Sequence, residues 1–211
     1  MVLGAGDHAK VVLEALWATD VFEVVGLLDS HPRNVEVLSV PVLGGDELLP
    51  DLLRRGVAAA VVAIGSNLKR QQIGQRLLAM HFTLPCVVHP SAFVSPSATI
   101  AQGTIVMARA VVGALTNIGE LAIINTGAIV EHDNHIGQAT HIAPGAILAG
   151  RVRVGDRALV GVGSAVRPGI SIGDDSIVGA GAAVVSEVFS CTTVVGVPAR
   201  ILSSSRESGF C

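Results

Sequence analysis

Residues 118–154, IGELAIINTGAIVEHDNHIGQATHIAPGAILAGRVRV, decide the fold. Read in steps of six, they place Ile118, Ile124, Val130, Ile136, Ile142, Leu148 and Val154 at one recurring position. The pattern extends outward without a break from Val88 to Val184, seventeen hexads in all. Four residues after each aliphatic the side chain is nearly always small (Ala122, Ala128, Asn134, Thr140, Ala146), with Val152 and Ile170 the large exceptions. Six residues make about 1.7 turns of an α-helix, so a hexad aliphatic would wander around a helical axis and bury nothing. A β-sandwich would need two-residue alternation and turns spaced by roughly 8–12 residues. A parallel β-helix accounts for the pattern: three hexads form one triangular coil, each aliphatic points inward from a face, and residues eighteen apart stack. Gly119, Gly137, Gly155, Gly173 and Gly179 are expected to supply the permissive turn conformations at the corners.

Upstream of this repeat the texture changes near PCVVHPS at 85–91. The first segment reads as a strand at 1–3, a helix at 8–18, a strand at 23–28, an extended piece at 41–45, a helix at 46–55, a strand at 58–64 and a helix at 68–80. Alternation of this kind predicts a small parallel α/β sheet, so two domains are expected, 1–84 and 85–211, the second including a C-terminal tail. The first strand is short enough to expect that the chain begins inside it. GAGDHA at residues 4–9 fits G-x-G-x-x-A between a strand and a helix, and Asp29 ends the next strand about twenty residues on. Such a loop brings backbone N–H groups to an anionic ligand at a helix N-terminus. A dinucleotide oxidoreductase is disfavoured, because the segment lacks the second mononucleotide half and no hydride-transfer domain follows.

Composition excludes several classes. Half of the 211 residues are apolar, yet there is no Tyr, one Trp and five Phe, so the interior is aliphatic and disorder is ruled out. A formal charge of −3 with few aromatics argues against a nucleic-acid partner. No apolar run of membrane-spanning length occurs and the N-terminal residues lack a signal-peptide pattern, so a cytoplasmic protein without membrane insertion is expected. Cys86, Cys191 and Cys211 fit neither a disulfide scaffold nor a paired metal motif, and reduced thiols are the expectation.

The hexads resemble the left-handed β-helix of the hexapeptide-repeat acyltransferases over about residues 86–200. The whole chain resembles a narrower family, the bacterial nucleotide-sugar acetyltransferases, through GAGDHAK at 4–10, LLDS at 27–30, AIGSN at 63–67, INTGAIVEHDNHIG at 124–137 and VVGVPAR at 194–200. That resemblance implies transfer of acetyl from acetyl-CoA to the 4-amino group of a UDP- or GDP-linked 4-amino-4,6-dideoxy sugar. It makes sialic acid O-acetylation the alternative within the class. By the same resemblance His132 is the general base and Asp133 orients it, a neutral imidazole being suited to take a proton from the attacking group. The resemblance also places the nucleotide against Gly6, Asp29, Ser30, Gly65, Ser66, Asn67 and Arg70. Coenzyme A would run along the coils at His141, Ala143, Gly150, Val162 and Ala180 and past Pro198 and Arg200, between protomers of a homotrimer. The residue stacked on His132 is Gly150, whose missing side chain is expected to leave room for a ligand.

Two readings from other classes compete. A zinc hydratase would use His132, His135 and His141, but His135 and His141 are one hexad apart and belong to different faces of the prism, so no metal is expected. A non-catalytic sugar-nucleotide-binding protein would keep the first domain's site without releasing thiol from acetyl-CoA. On the residues alone, Gly65, Ser66 and Asn67 also fit an ordinary strand-to-helix connection, and Arg70 a solvated helix charge.

Overall fold

The computed structural model describes residues 1–204. Its first part is a five-stranded sheet of order β3-β4-β2-β1-β5, with β1 Val2–Leu3, β2 Leu27–Leu28, β3 Glu36–Val37, β4 Val40–Gly44 and β5 Val61–Val62. All neighbours are parallel except the β3–β4 hairpin. Three α-helices accompany it: α1 Asp7–Thr19, α2 Leu49–Arg54 behind a 3₁₀ turn at Asp46–Leu48, and α3 Asn67–Ala79. The strands expected at 23–28 and 58–64 pair over only two residues each. Their common neighbour is the two-residue β1, and the ladder cannot be longer than its central strand. The β3–β4 hairpin was not anticipated. Its turn is made by Leu38 and Ser39 at φ 49° and 64°, so the Asn-Gly or Asp-Gly signal that marks such turns is missing.

From Val87–Val88 onward the chain is a left-handed parallel β-helix. Two-residue strands repeat every six residues and stack in three sheets, with residue i opposite i+18, as in Ile123↔His141, Ile129↔Ile147 and His135↔Arg153. The inward aliphatics form one continuous core running from Val106 to Val194. From Thr104 to Ala182 the residues four positions later are buried at the corners, and where they are polar they are satisfied. Thr116 Oγ1 donates to Glu131 O at 2.7 Å, Thr140 Oγ1 to Gly155 O at 2.7 Å, and Asn134 Nδ2 to Glu131 O at 2.6 Å.

The corners correct one expectation. The residue three positions after each aliphatic, from Gly103 to Gly181, has φ between 52° and 73° at all fourteen successive corners, and eight of these are not glycine. The left-handed turn is therefore imposed by the coil, at about 1–2 kcal/mol for each L-residue. Gly119, Gly137, Gly155, Gly173 and Gly179 have no such φ. They are glycine because the next coil is too close: a Cβ on Gly119 would lie 2.8 Å from Gln138 N, and one on Gly137 would lie 2.6 Å from Asp156 N.

The last coil is two residues short, with Ile177 pairing Thr193, and Arg200–Ser204 returns antiparallel to Thr192–Val195. Cys86 is a free thiol, whereas Cys191 is disulfide-bonded, against the expectation of reduced thiols; Cys211 lies outside the described residues. Among the described residues no helix is long and apolar enough to cross a membrane.

Gly137→Ala should lower stability by about 1–3 kcal/mol through backbone crowding. Leu115→Gly, at an exposed left-handed corner, should leave stability unchanged or raise it by up to about 1 kcal/mol. Guanidinium unfolding of the two variants measures both, and equal losses would overturn this division of roles.

Candidate functional site

The G-x-G-x-x-A loop is built as its residue types require. Gly4 has φ 100° and lies against Ala63 O, Gly6 opens α1 with free space around it, and Ala9 is buried in the first turn of the helix. The carboxylate of Asp29 fixes this loop: Oδ2 accepts Ala5 N–H and Oδ1 accepts His31 N–H, both at 2.9 Å. At the C-terminal ends of β1, β2 and β5 lies a cavity of about 810 Å³ that brings together Gly6, Asp29, Ser30, Gly65 and Ser66. His8 also lines it. Asn67 does not; it lines an adjoining cleft of about 300 Å³ with Gly65, Ser66, His141 and Arg157.

Arg70 lines neither and is fully buried, so it is neither a nucleotide contact nor a solvated charge. Its Nε donates to Leu121 O at 2.8 Å, Nη1 to Ile64 O at 2.9 Å, and Nη2 to Asn67 Oδ1 at 2.8 Å and Ala139 O at 2.7 Å. A guanidinium has five N–H donors in a fixed fork, and here the fork is spent on carbonyls of both lobes. Asn67 Nδ2 likewise reaches Arg157 O at 2.8 Å and Ala158 O at 3.0 Å.

His132 and Asp133 sit at a corner of the prism, both about half exposed, with Nδ1 of the ring 2.7 Å from Asp133 Oδ2. With Nδ1–H donated to the carboxylate, Nε2 keeps its lone pair, which is the form a general base needs. Asp133 has φ 58°, so the corner geometry itself turns its side chain toward the preceding histidine. Gly150 corrects an expectation. The space its missing side chain leaves is taken by the His132 ring, since a Cβ there would lie 2.5 Å from Cε1 and Nε2.

His141 is on a different face from His135 and is half-buried against the first lobe. Asn125 Oδ1 accepts Thr126 N–H at 2.8 Å, which orients its amide so that Nδ2 donates to His141 Nε2 at 3.0 Å. His141 Nε2 is therefore an acceptor, and the imidazole is neutral with its proton on Nδ1. The His8 ring lies 6.5 Å away, and its Nε2 is buried without a partner. Burial, and after it the Arg70 charge, pushes both imidazoles down to about 4; His8 adds to the effect on His141. Sequence reasoning missed His8 and Asn125. His8 stands inside GAGDHA, and the only available signal was a titratable residue in a loop otherwise read for its glycines.

The residues expected along coenzyme A do not share one surface of a single chain. His141, Ala143, Val162 and Ala180 follow one edge of the prism, and Gly150 lies on another beside His132. Pro198 is exposed, and Arg200 lines a cavity of about 440 Å³ at the C-terminal end.

A hexad β-helix with a solvent-facing His–Asp pair, joined to a G-x-G-x-x-A lobe, defines the hexapeptide-repeat acyltransferase class. Residues 1–77 match the family described as PglD N-terminal domain, and residues 151–186 match the hexapeptide repeat of succinyl-transferase. The solved structure of PerB from Caulobacter crescentus, in complex with CoA and GDP-perosamine, is 45% identical over 96% of both chains, with a TM-score of 0.92. The acetyltransferase domain of PglB from Neisseria gonorrhoeae FA1090 is 39% identical, over 95% of this chain and 98% of that one, with a TM-score of 0.92. The UDP-N-acetylbacillosamine N-acetyltransferase of Bacillus subtilis (strain 168) is 38% identical over 121 residues, 51% of this chain, and the match spans half of that relative. The chain belongs to the hexapeptide-repeat nucleotide-sugar acetyltransferases, enzymes that use acetyl-CoA.

The buried imidazoles give a pH signature. Both titrate near 4 when folded and near 6.5 when unfolded, so between these values the unfolded chain binds more protons. Their contribution is complete above about pH 6.5 and is lost as the pH falls toward 4, a change on the order of a few kcal/mol. Urea unfolding from pH 7 to 5 should show a shallower loss for His8→Asn than for the wild type; equal slopes would overturn the assignment.

Proposed function

We propose that the protein transfers the acetyl group of acetyl-CoA to the 4-amino group of a UDP- or GDP-linked 4-amino-4,6-dideoxy sugar. The observation that carries this reading is the likeness, at 45% identity over nearly the full length, to an enzyme solved with both CoA and GDP-perosamine. In this reading Gly6, Asp29, Ser30, Gly65 and Ser66 hold the nucleotide, with backbone N–H groups at the start of α1 meeting its phosphates. The sugar nitrogen attacks the thioester carbonyl carbon; the C–N bond forms, the C–S bond breaks and the thiolate leaves. His132 Nε2 takes the proton from the nitrogen, and Asp133 stabilises the imidazolium through Nδ1–H.

A trimer completes the site in this reading. The strand residues facing outward on one sheet, Phe93, Val111, Ile129, Ile147, Ala165 and Ala183, are all apolar, whereas those of the neighbouring sheet, Thr99, Asn117, His135, Arg153 and Ser171, are polar. Phe93 and Ile147 are 59% and 45% exposed, too much apolar surface in one row for a face left in water. A threefold assembly covers such a row and brings the His132 edge of one protomer to the His141 edge and nucleotide cavity of the next.

Light scattering should give about three chain masses, and Ile147→Asp should give monomers with little activity; a fully active monomer would contradict the assembly.

His132→Ala should lower kcat by roughly 10²–10⁴-fold while acetyl-CoA binding and the oligomer persist. Free thiol read across a panel of UDP- and GDP-amino sugars measures it. An amine partly deprotonated at neutral pH can attack unaided, which favours the low end of that range. Full activity with an unchanged pH profile would falsify the base assignment.

A further inference from the structure

One face of α3 carries polar residues that are buried. Arg70, Gln71 and Gly74 are buried and Asn67 partly so, spaced i, i+3, i+4, i+7 from Asn67, and this seam docks on the β-helix. Gln71 Nε2 donates to Gln138 Oε1 at 2.7 Å, Arg157 Nη1 donates to Gln71 Oε1 at 3.2 Å, and Gly74 is so close to Leu121 that a Cβ would force the leucine side chain to shift. Arg70 is the centre of the seam. On one side it holds the carbonyls of Ile64 and Gly65, the rim of the nucleotide cavity; on the other it holds those of Leu121, Ala139 and Thr140, the last two immediately preceding His141. Among the described residues it has no carboxylate partner within ion-pair distance.

We propose that Arg70 is a positioning residue for acetyl transfer: its buried fork fixes the rim of the nucleotide cavity to the coil that carries His141. Asn67 alone would give one such link. Arg70 supplies a link across both lobes, and its electrostatic role is to add to burial in holding both imidazoles down. Burial lowers its own pKa only to about 10, so it stays charged at neutral pH. The groups facing the imidazole pair are Arg70 and Asn67 from α3, Asn125 from the adjacent coil, and Arg157, already paired with Asp175, across the cleft. On the cavity side Asp7, Asp29, His31, Arg33, Asp46 and Lys69 share the lining with His8. The positioning role rests on the proposed acetyl transfer; the electrostatic role does not.

The test uses the full-length protein with Arg70→Lys, which keeps the charge and loses the fork, and Arg70→Gln, which loses both. Calorimetry with UDP or GDP and with CoA should find each Kd within about threefold of wild type, while kcat per folded subunit falls at least tenfold in both variants. In Arg70→Gln alone, NMR titration of labelled histidines should show the His8 and His141 pKa values moving up. Unchanged kcat, or a nucleotide Kd weakened as much as kcat falls, would overturn the positioning role. Unmoved histidine titrations would overturn the electrostatic one. If either variant fails to fold, Gln71→Ala weakens the same seam outside the cavity and should lower kcat about threefold with both Kd values kept; no change in kcat would count against the proposal. A wild type that acetylates no nucleotide sugar would instead defeat the proposed function, and the titrations would still read the field of Arg70.

Discussion

Everything in this molecule depends on the eighteen-residue period with which one coil hydrogen-bonds to the next. The period fixes which side chains stack, and stacking leaves almost no freedom to the backbone between them. A residue such as Leu115 or Arg109 adopts a left-handed conformation it would avoid in isolation because the coils above and below already determine where the chain must turn. The His132–Asp133 pair inherits its geometry from the same constraint. Its histidine lies over Gly150 because coil register puts it there, and its carboxylate is aimed by a corner that every coil shares.

The junction between the lobes follows a different logic. Apolar contact contributes, with Val87, Ile105 and Met107 joining the core of the first lobe. Specific alignment, however, comes from donors on α3 meeting carbonyls that the coil corners leave pointing outward. A corner carbonyl has no partner in its own ladder, so a helix carrying Asn and Arg at the right spacing satisfies groups that would otherwise be buried without hydrogen bonds.

The β-helix was legible in the sequence because its repeat is long, and a single position, the inward aliphatic, reports burial seventeen times over. The smaller sheet was legible only in outline, since strands two residues long leave no periodicity to read. Of the residues that the family resemblance grouped, Gly6, Asp29, Ser30, Gly65 and Ser66 line one cavity. Arg70 could not be read: a charged residue on a helix ordinarily signals a wet face, and nothing local records that carbonyls from residues 121 and 139 will close over it. The corner glycines were found for the wrong reason. A sequence shows that a side chain is missing but not whether torsion or a neighbour forbids it.

The shortened last coil and the antiparallel return of Arg200–Ser204 settle how the stack stops. A bare parallel coil offers its outer row of amides and carbonyls as a template, and another prism of the same cross-section would fit it. Reversing the final strand changes the hydrogen-bond pattern that row presents, so the first coil of another copy no longer matches. At the opposite end α1 packs against the outward side of the first strand and covers Val87, while the inward Val88, Val94 and Ile100 of the first coil are only partly buried. The reversed strand thereby breaks the template at the C-terminal end of one sheet, and the sides of the prism remain surfaces open to association.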